Sequence, residues 1–376
     1  MKQSDTRIFT VADADSNPSV SDRAPKAIKG RGTANKIDPR YLANAREVFD
    51  DGWSADREDQ PVRTTVTIES PKTIITRNDS PDIPFEASIN PYRGCEHGCI
   101  YCFARPGHAY MDLSPGIDFE TRLFAKPDAA ILMEQELGRR GYICTPIALG
   151  TNTDPYQPIE RDFRITRQII EVLNAHHHPL TIVTKSSGVE RDIDLLADMA
   201  ARNLTQVFIS ITTLDHELAR KLEPRATAPR RRLETLARLH AAGIPTGVMF
   251  APVIPALNDT EMESVLSAAA GAGVMHAGYV MLRLPHEVKI LFREWLETHY
   301  PLKTDHVMNM VKDIRGGREN DPDFGSRMRG KGVYAEIIAG RFRKICNALG
   351  LNKQDVLLHT GGFTPPLRAG SQLNLL

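Results

Sequence analysis

From Phe85 to about residue 290, short β-branched or apolar runs alternate with longer segments of helical period, and no other feature of the sequence restricts its fold as strongly. Six of these runs read as strands: Phe85–Ile89, Pro146–Gly150, Leu180–Thr184, Gln206–Thr212, Pro245–Ala251 and Ala277–Arg283. Helices are predicted between them. One is Pro127–Arg139, with proline in the first turn and Gly141 just past the end. Another is Arg161–Leu173, where Phe163, Ile169, Ile170 and Leu173 share a face. Strand–helix units wound in the right-handed sense build a parallel sheet that curls. The expected fold class is therefore α/β, a partial (β/α)6 TIM-like barrel whose function sits at the carboxyl ends of its strands.

The flanks divide the chain further. Residues 1–60 are rich in Asp, Ser, Pro, Arg and Lys and show only a short helical pattern around Pro39–Phe49, as expected of a mobile N-terminal extension. Residues 61–84 are a lead-in in which VRTTVTIESPKTIITR alternates enough for one or two strands. The core is expected over 85–295, a small helical region over 296–365 and a flexible tail over 366–376. No repeat other than the βα alternation is present.

Charge narrows the partners. Lys and Arg number 47 and so do Asp and Glu, so any contact with nucleic acid must come from a local patch. No apolar stretch is long enough to span a membrane, and the first residues lack the apolar core of a secretory signal; a cytoplasmic protein is expected. Of the five cysteines, three fall in NPYRGCEHGCIYCFAR, which suits metal binding in a reducing compartment better than a disulfide framework.

Cys95, Cys99 and Cys102 follow the first strand in a C-x3-C-x2-C arrangement. Three thiolates on one tight loop can hold three irons of a cubane and leave the fourth open to a substrate. The trio can also hold a structural zinc, with His97 or a distant residue as fourth ligand, although His97 is awkwardly placed between two of the cysteines.

This motif, with Tyr101 just before the third cysteine, resembles the signature of the radical S-adenosylmethionine (SAM) superfamily. The resemblance implies a [4Fe-4S] cluster on Cys95, Cys99 and Cys102, with SAM on the open iron. It also implies reductive cleavage to a 5′-deoxyadenosyl radical that abstracts hydrogen, and a reductant such as flavodoxin or ferredoxin. Tyr101 would pack near the adenine. Thr151, Asn152, Thr153 and Asp154, after the second strand, stand where the superfamily places a polar segment near the methionyl amine. Lys185 ends the third strand, and Ser210 and Thr212 alternate onto one face of the fourth, so all three are candidates to hold the cofactor. Strand-end Ser, Thr and Asp equally serve as caps and turn closers. Arg225, within KLEPRATAPRRRLETL, can meet a carboxylate or a phosphate if it lies near the cofactor, and is otherwise part of a solvated charge run.

Over residues 85–290, this signature, the strand-end TKS and GVMFAPVIPALND resemble the spore photoproduct lyase-like branch, often described as DNA-repair-photolyase-related, which implies hydrogen abstraction from a nucleic-acid component or another unidentified substrate. One departure matters. That branch carries a hydrogen-donating cysteine where Thr151 stands, and threonine cannot replace a thiol. Cys144 belongs to the strand's other end and is expected to be a buried structural thiol, and Cys346 a core residue on a helix with Ile337, Ile338, Phe342 and Leu349. A radical SAM enzyme modifying RNA or protein, and a non-catalytic iron-sulfur protein associated with DNA or the clamp that binds partners or senses redox state, are alternative readings. The last residues, Gln372, Leu373, Asn374, Leu375 and Leu376, resemble the peptide that docks bacterial proteins on the sliding clamp, with Asn374 and Leu376 departing from its preference. His176–His178 is expected as an exposed loop. Arg327, Arg329 and Lys331 are expected to be a phosphate-binding or solvated loop.

Overall fold

The computed structural model describes residues 28–33, 35–42, 63–354 and 356–366. Most of the helical pattern around Pro39–Phe49 and the clamp-like tail Gln372–Leu376 lie outside them. Ten strands run in chain order as β1 (Thr65–Ile68), β2 (Ile75–Arg77), β3 (Ala87–Ile89), β4 (Tyr92–Arg93), β5 (Arg122–Ala125), β6 (Ile147–Leu149), β7 (Leu180–Thr184), β8 (Thr205–Ser210), β9 (Thr246–Val253) and β10 (His276–Met281). The main sheet has the order β10-β9-β8-β7-β6-β3-β2 and is parallel except for the β2–β3 pair. Its six parallel strands coincide with the six runs expected from sequence. β1, β5 and β4 make a separate small sheet.

Alternation along each strand sorts the two faces. Leu180, Ile182, Val207, Ile209, Val248 and Phe250 are buried in the main core under the outer helices. Val183, Phe208 and Met249 point the other way and are only half-buried, lining an inner face. Two glycines allow that face to pack. A Cβ on Gly247 would lie 2.3 Å from the Phe208 ring, and one on Gly278 would lie 2.7 Å from Met249 Sδ.

The sheet stays open between β2 and β10, and the polypeptide after residue 313 bridges the gap. Met281 N–H donates to Met328 O at 2.9 Å, and Arg315, almost wholly buried, donates to the carbonyls of Met281, Leu282, Ser326 and Arg327. Across the gap, Asp82 accepts from Gly325 N and Arg327 Nε. Edge amides are thereby covered. Arg327 is thus bound, Arg329 lies 4.2 Å from the Tyr279 ring, and Lys331 pairs with Asp321 at 3.0 Å, so all three cations expected in a phosphate-binding or solvated loop are engaged within the protein.

Several local expectations are corrected. The helix expected over Arg161–Leu173 is two helices, Glu160–Phe163 and Ile165–Ala175, broken at Arg164, whose φ is 53°. The helix Val288–His299 runs through residue 295, where the core was expected to end, and packs Phe292 and Trp295 against Ile100 and Leu222. His178 is buried, bonded to Tyr142 Oη at 2.9 Å and packed edge-on to Phe363, because residues 363–364 return over this connection. Residues 28–33 and 35–42, expected in a mobile extension, form a strap across the main domain. Asn35 Nδ2 donates to Glu294 at 2.9 Å and Arg40 pairs with Glu287 at 2.8 Å.

Candidate functional site

The loop from Gly94 to Phe103 follows β3 and β4 at the carboxyl end of the sheet. It turns tightly, with Gly98 at a φ of 67° and Cys102 N–H donating to Cys99 O at 3.2 Å, and carries all three cysteines. Cys95 and Cys99 are buried, Cys102 is half-buried and all three are free thiols. Burial raises the Cys95 pKa and pushes the Cys99 thiol up to about 12. Thiolates at such positions require positive charge nearby, which a bound metal would supply.

Buried polar groups hold this loop from beneath. Arg105, fully buried, donates to Cys99 O at 2.9 Å, to Gly98 O at 3.2 Å and to Glu120 Oε1 at 2.6 Å. Burial raises the Glu120 carboxyl above its ordinary range in spite of Arg105. Its other oxygen accepts from Gly32 N in the strap at 3.0 Å. Gln157, also fully buried, donates to Gly94 O at 3.1 Å and accepts from Glu96 N at 3.0 Å.

The strand-end residues expected from sequence divide in role. Asn90, at the end of β3, lies 3.1 Å from Thr151 Oγ1 through its Nδ2, and its Oδ1 accepts from Asn152 N at 3.0 Å and Thr153 N at 3.4 Å. Thr153 Oγ1 donates to Tyr92 O. Asp154 accepts from Thr184 Oγ1 and Lys185 N, each at 2.7 Å, and faces His97 Nδ1 at 3.4 Å. Burial opposes its ionisation, but His97 and these donors outweigh it and hold the carboxyl at about 2. Asp154 and Thr153 are therefore structural ties, and the backbone around Asn152 is the exposed part of this segment.

Tyr101 is buried with its hydroxyl on Glu223 and 3.2 Å from Thr212 Oγ1. Thr212 Oγ1 in turn lies 2.6 Å from Glu223 Oε1, so its hydroxyl is engaged, whereas Ser210 sits at the carboxyl end of β8 on the inner face. Glu223 also binds the buried Arg232, which donates to Ser210 O at 2.8 Å. Arg232 and Lys185 overcome the cost of burial and keep the Glu223 carboxyl at about 2. Lys185 Nζ stands 5.8 Å from the Tyr101 ring centre; burial alone would lower its pKa, but Cys99 and Glu223 raise it, so a cation is favoured beside the cysteine loop. Arg225 meets a carboxylate, 3.4 Å from Glu96.

His97 faces Asp154 through Nδ1. Among the described residues no three His, Cys, Asp or Glu side chains are grouped to hold a metal ion. A tetrahedral zinc draws its ligands to one point, whereas a cubane takes one thiolate for each of three irons. Cys144 lies before β6, away from the carboxyl ends, and is half-buried where a buried thiol was expected. Cys346 is buried on the helix Gly332–Leu349 as expected, although Ile337 of that helix is exposed. A cleft of ≈ 660 Å³ opens beside the loop on the β2 side, and its lining includes Lys72, Arg93, Phe103, Tyr110, Lys126 and Asn152.

The radical SAM superfamily model matches residues 89–269, from the end of β3 into the helix before β10. These residues are thus similar to the radical SAM superfamily. The three cysteines of the domain, its six parallel strands and its inner face all fall within that match or adjoin it. An uncharacterized protein of Mycobacterium tuberculosis is 38% identical over 221 residues, 58% of this chain and 65% of its own length. The match therefore spans slightly less than two thirds of that relative. An uncharacterized protein of Methanocaldococcus jannaschii is 26% identical over 59% of the chain and 79% of its length. Among solved structures, spore photoproduct lyase complexed with dinucleoside spore photoproduct superposes with a TM-score of 0.56 at 17% identity, covering 76% of this chain and 80% of the lyase. The chain thus shares the lyase's fold over the matched part.

Sequence reasoning missed Arg105, Glu120, Gln157 and Asn90. Arg105 stands three residues after Cys102, but charged side chains are ordinarily read as surface, so its burial had no sequence signal. Glu223 and Arg232 were visible only as part of a charge run.

Proposed function

We propose that the chain is a radical SAM enzyme in which Cys95, Cys99 and Cys102 hold a [4Fe-4S] cluster whose open iron takes SAM. One observation carries this reading: three free, largely buried thiols on one loop at the carboxyl end of the first parallel strand. When bound, cluster and SAM supply reductive cleavage of a sulfonium and a carbon-centred radical able to abstract hydrogen. The chain's own residues do the rest. Arg105, Glu120 and Gln157 fix the loop. Lys185 and the ion pair of Glu223 with Arg232 set the charge beneath Tyr101, whose ring can flank the adenine. Ser210 and the exposed backbone at Asn152 offer polar contacts. Val183, Phe208 and Met249 give the inner face an apolar surface that limits water near a reactive radical.

The substrate read most directly from the chain is a nucleic-acid component. The cleft on the β2 side combines Lys72, Arg93 and Lys126 with Phe103 and Tyr110, cations for phosphate and rings for bases. Thr151 replaces the hydrogen-donating cysteine of the lyase-like branch, so a thiol-quenched dimer reversal is not part of the proposal. Anaerobic reconstitution tests the reading. It predicts about four irons per chain and 5′-deoxyadenosine that depends on dithionite. A stoichiometric zinc with no nucleoside product would sink it.

A further inference from the structure

A second cleft, of ≈ 400 Å³, lies against the cysteine loop and is lined by His97, Gln157, Arg161, Arg164, Arg191 and Arg225 among others. Its floor is the back of that loop. His97 is two residues from both Cys95 and Cys99, its carbonyl accepts from Arg225 N at 3.3 Å, and Gln157 bridges Gly94 and Glu96.

The cleft's charge is lopsided in a chain that is neutral as a whole. Four guanidiniums line it with one carboxylate, Glu160; Arg191 is neutralised by Glu160 at 2.7 Å and Asp192 at 2.8 Å and Arg225 faces Glu96 at 3.4 Å, so the excess is carried by Arg161 and Arg164. Arg161 and Arg164 are exposed and, among the described residues, make no ion pair. The left-handed turn at Arg164 separates two short helices and sets both arginines on the rim. Cations that a protein does not neutralise itself, beside a site it must supply with charge, favour encounter with an acidic partner.

We propose that this arginine-rimmed cleft is the docking surface of an acidic one-electron carrier protein, of flavodoxin or ferredoxin type. The inference rests on the radical SAM reading and adds where the reductant binds. One electron passes from the reduced carrier to the cluster across the loop at His97; the carrier is oxidised by one electron, and no atom is transferred. The nucleic-acid alternative for the same cations is weaker, because the ring lining this cleft, Tyr156, is buried and bonded to Asp192, whereas the exposed rings Phe103 and Tyr110 line the other cleft.

Reconstituted full-length protein is compared with Arg161→Glu/Arg164→Glu and with a control reversal, Arg343→Glu. A reduced flavodoxin serves as probe, its binding is measured at low and high salt, and loss of the cluster's visible absorbance is followed by stopped flow. The double reversal should weaken flavodoxin binding roughly tenfold, remove most of its salt dependence and slow flavodoxin-driven bleaching, while dithionite bleaches all three proteins alike. Equal flavodoxin binding and bleaching in the double reversal and the wild type would overturn the docking surface. So would a reversal that weakens only binding of a single-stranded oligonucleotide. Wild-type protein that dithionite cannot bleach would instead count against the radical SAM reading itself.

Discussion

Gly32 tests whether the strap over residues 28–33 and 35–42 is part of the cluster-binding apparatus. A Cβ added there would stand 1.7 Å from Gly98 O and 2.9 Å from its carbonyl carbon, both backbone atoms of the cysteine loop. Van der Waals contacts between heavy atoms begin near about 3.5 Å, so strap and loop must part by more than about 1 Å. That separation breaks the 3.0 Å bond from Gly32 N–H to Glu120. A hydrogen bond to a charged group contributes about 1.5–3 kcal/mol, and the buried Glu120 would be left with Arg105 as its remaining strong partner. Gly32→Ala should therefore cost about 2 kcal/mol locally, raise hydrogen exchange across 95–102 and speed iron loss in air. Gly107→Ala is the matched control, since a Cβ at Gly107 meets nothing within 4 Å. If the two variants exchange hydrogen and lose iron at the same rate, the strap does not support the loop.

Three further outcomes are expected. Replacing Cys95, Cys99 or Cys102 singly by alanine should remove the cluster's absorbance, whereas Cys144→Ala and Cys346→Ala should leave iron content unchanged. Glu223→Gln leaves Arg232 buried without its anion and should destabilise the protein by about 3–5 kcal/mol in chemical denaturation; a loss below about 1 kcal/mol would show that water reaches the pair. His108 and His178 are buried, and desolvation lowers each pKa to about 4. The unfolded chain takes up these protons near pH 6.5 and the folded chain only near 4. Their contribution is thus complete above about pH 6.5 and disappears as pH falls toward 4, amounting to roughly 3 kcal/mol for each histidine. Denaturant midpoints that stay flat between these pH values in the apoprotein would contradict it.

The polar interior of the site separates two tasks. Glu223 with Arg232 and Glu120 with Arg105 are ion pairs almost wholly buried on either side of the cysteine loop. Such pairs gain little net stability once their desolvation is counted. Their value here is directional: each guanidinium also binds backbone carbonyls of the site, Ser210 for Arg232 and Gly98 and Cys99 for Arg105. Carbonyls fixed in this way keep the thiols from turning outward.

The sequence by itself determined what depends on period and spacing. A two-residue alternation marks a strand wherever it occurs, so the six parallel strands were legible within a few residues, and three cysteines seven residues apart at most must share a loop. Tertiary structure alone decided which polar groups are buried and who meets whom. Asp154 read equally as a cofactor contact or a cap, and its bonds to Thr184 and Lys185 tie the segment after β6 to β7; Arg105 carried no signal and is the buried centre of the loop. Arg327, Arg329 and Lys331 read as a phosphate-binding or solvated loop, and only the fold shows Asp82, Tyr279 and Asp321 reaching them. Each of these pairings joins residues whose separation along the chain carries no periodic signal. Burial of a charge depends on that partner being present, and the fold alone brings the two together.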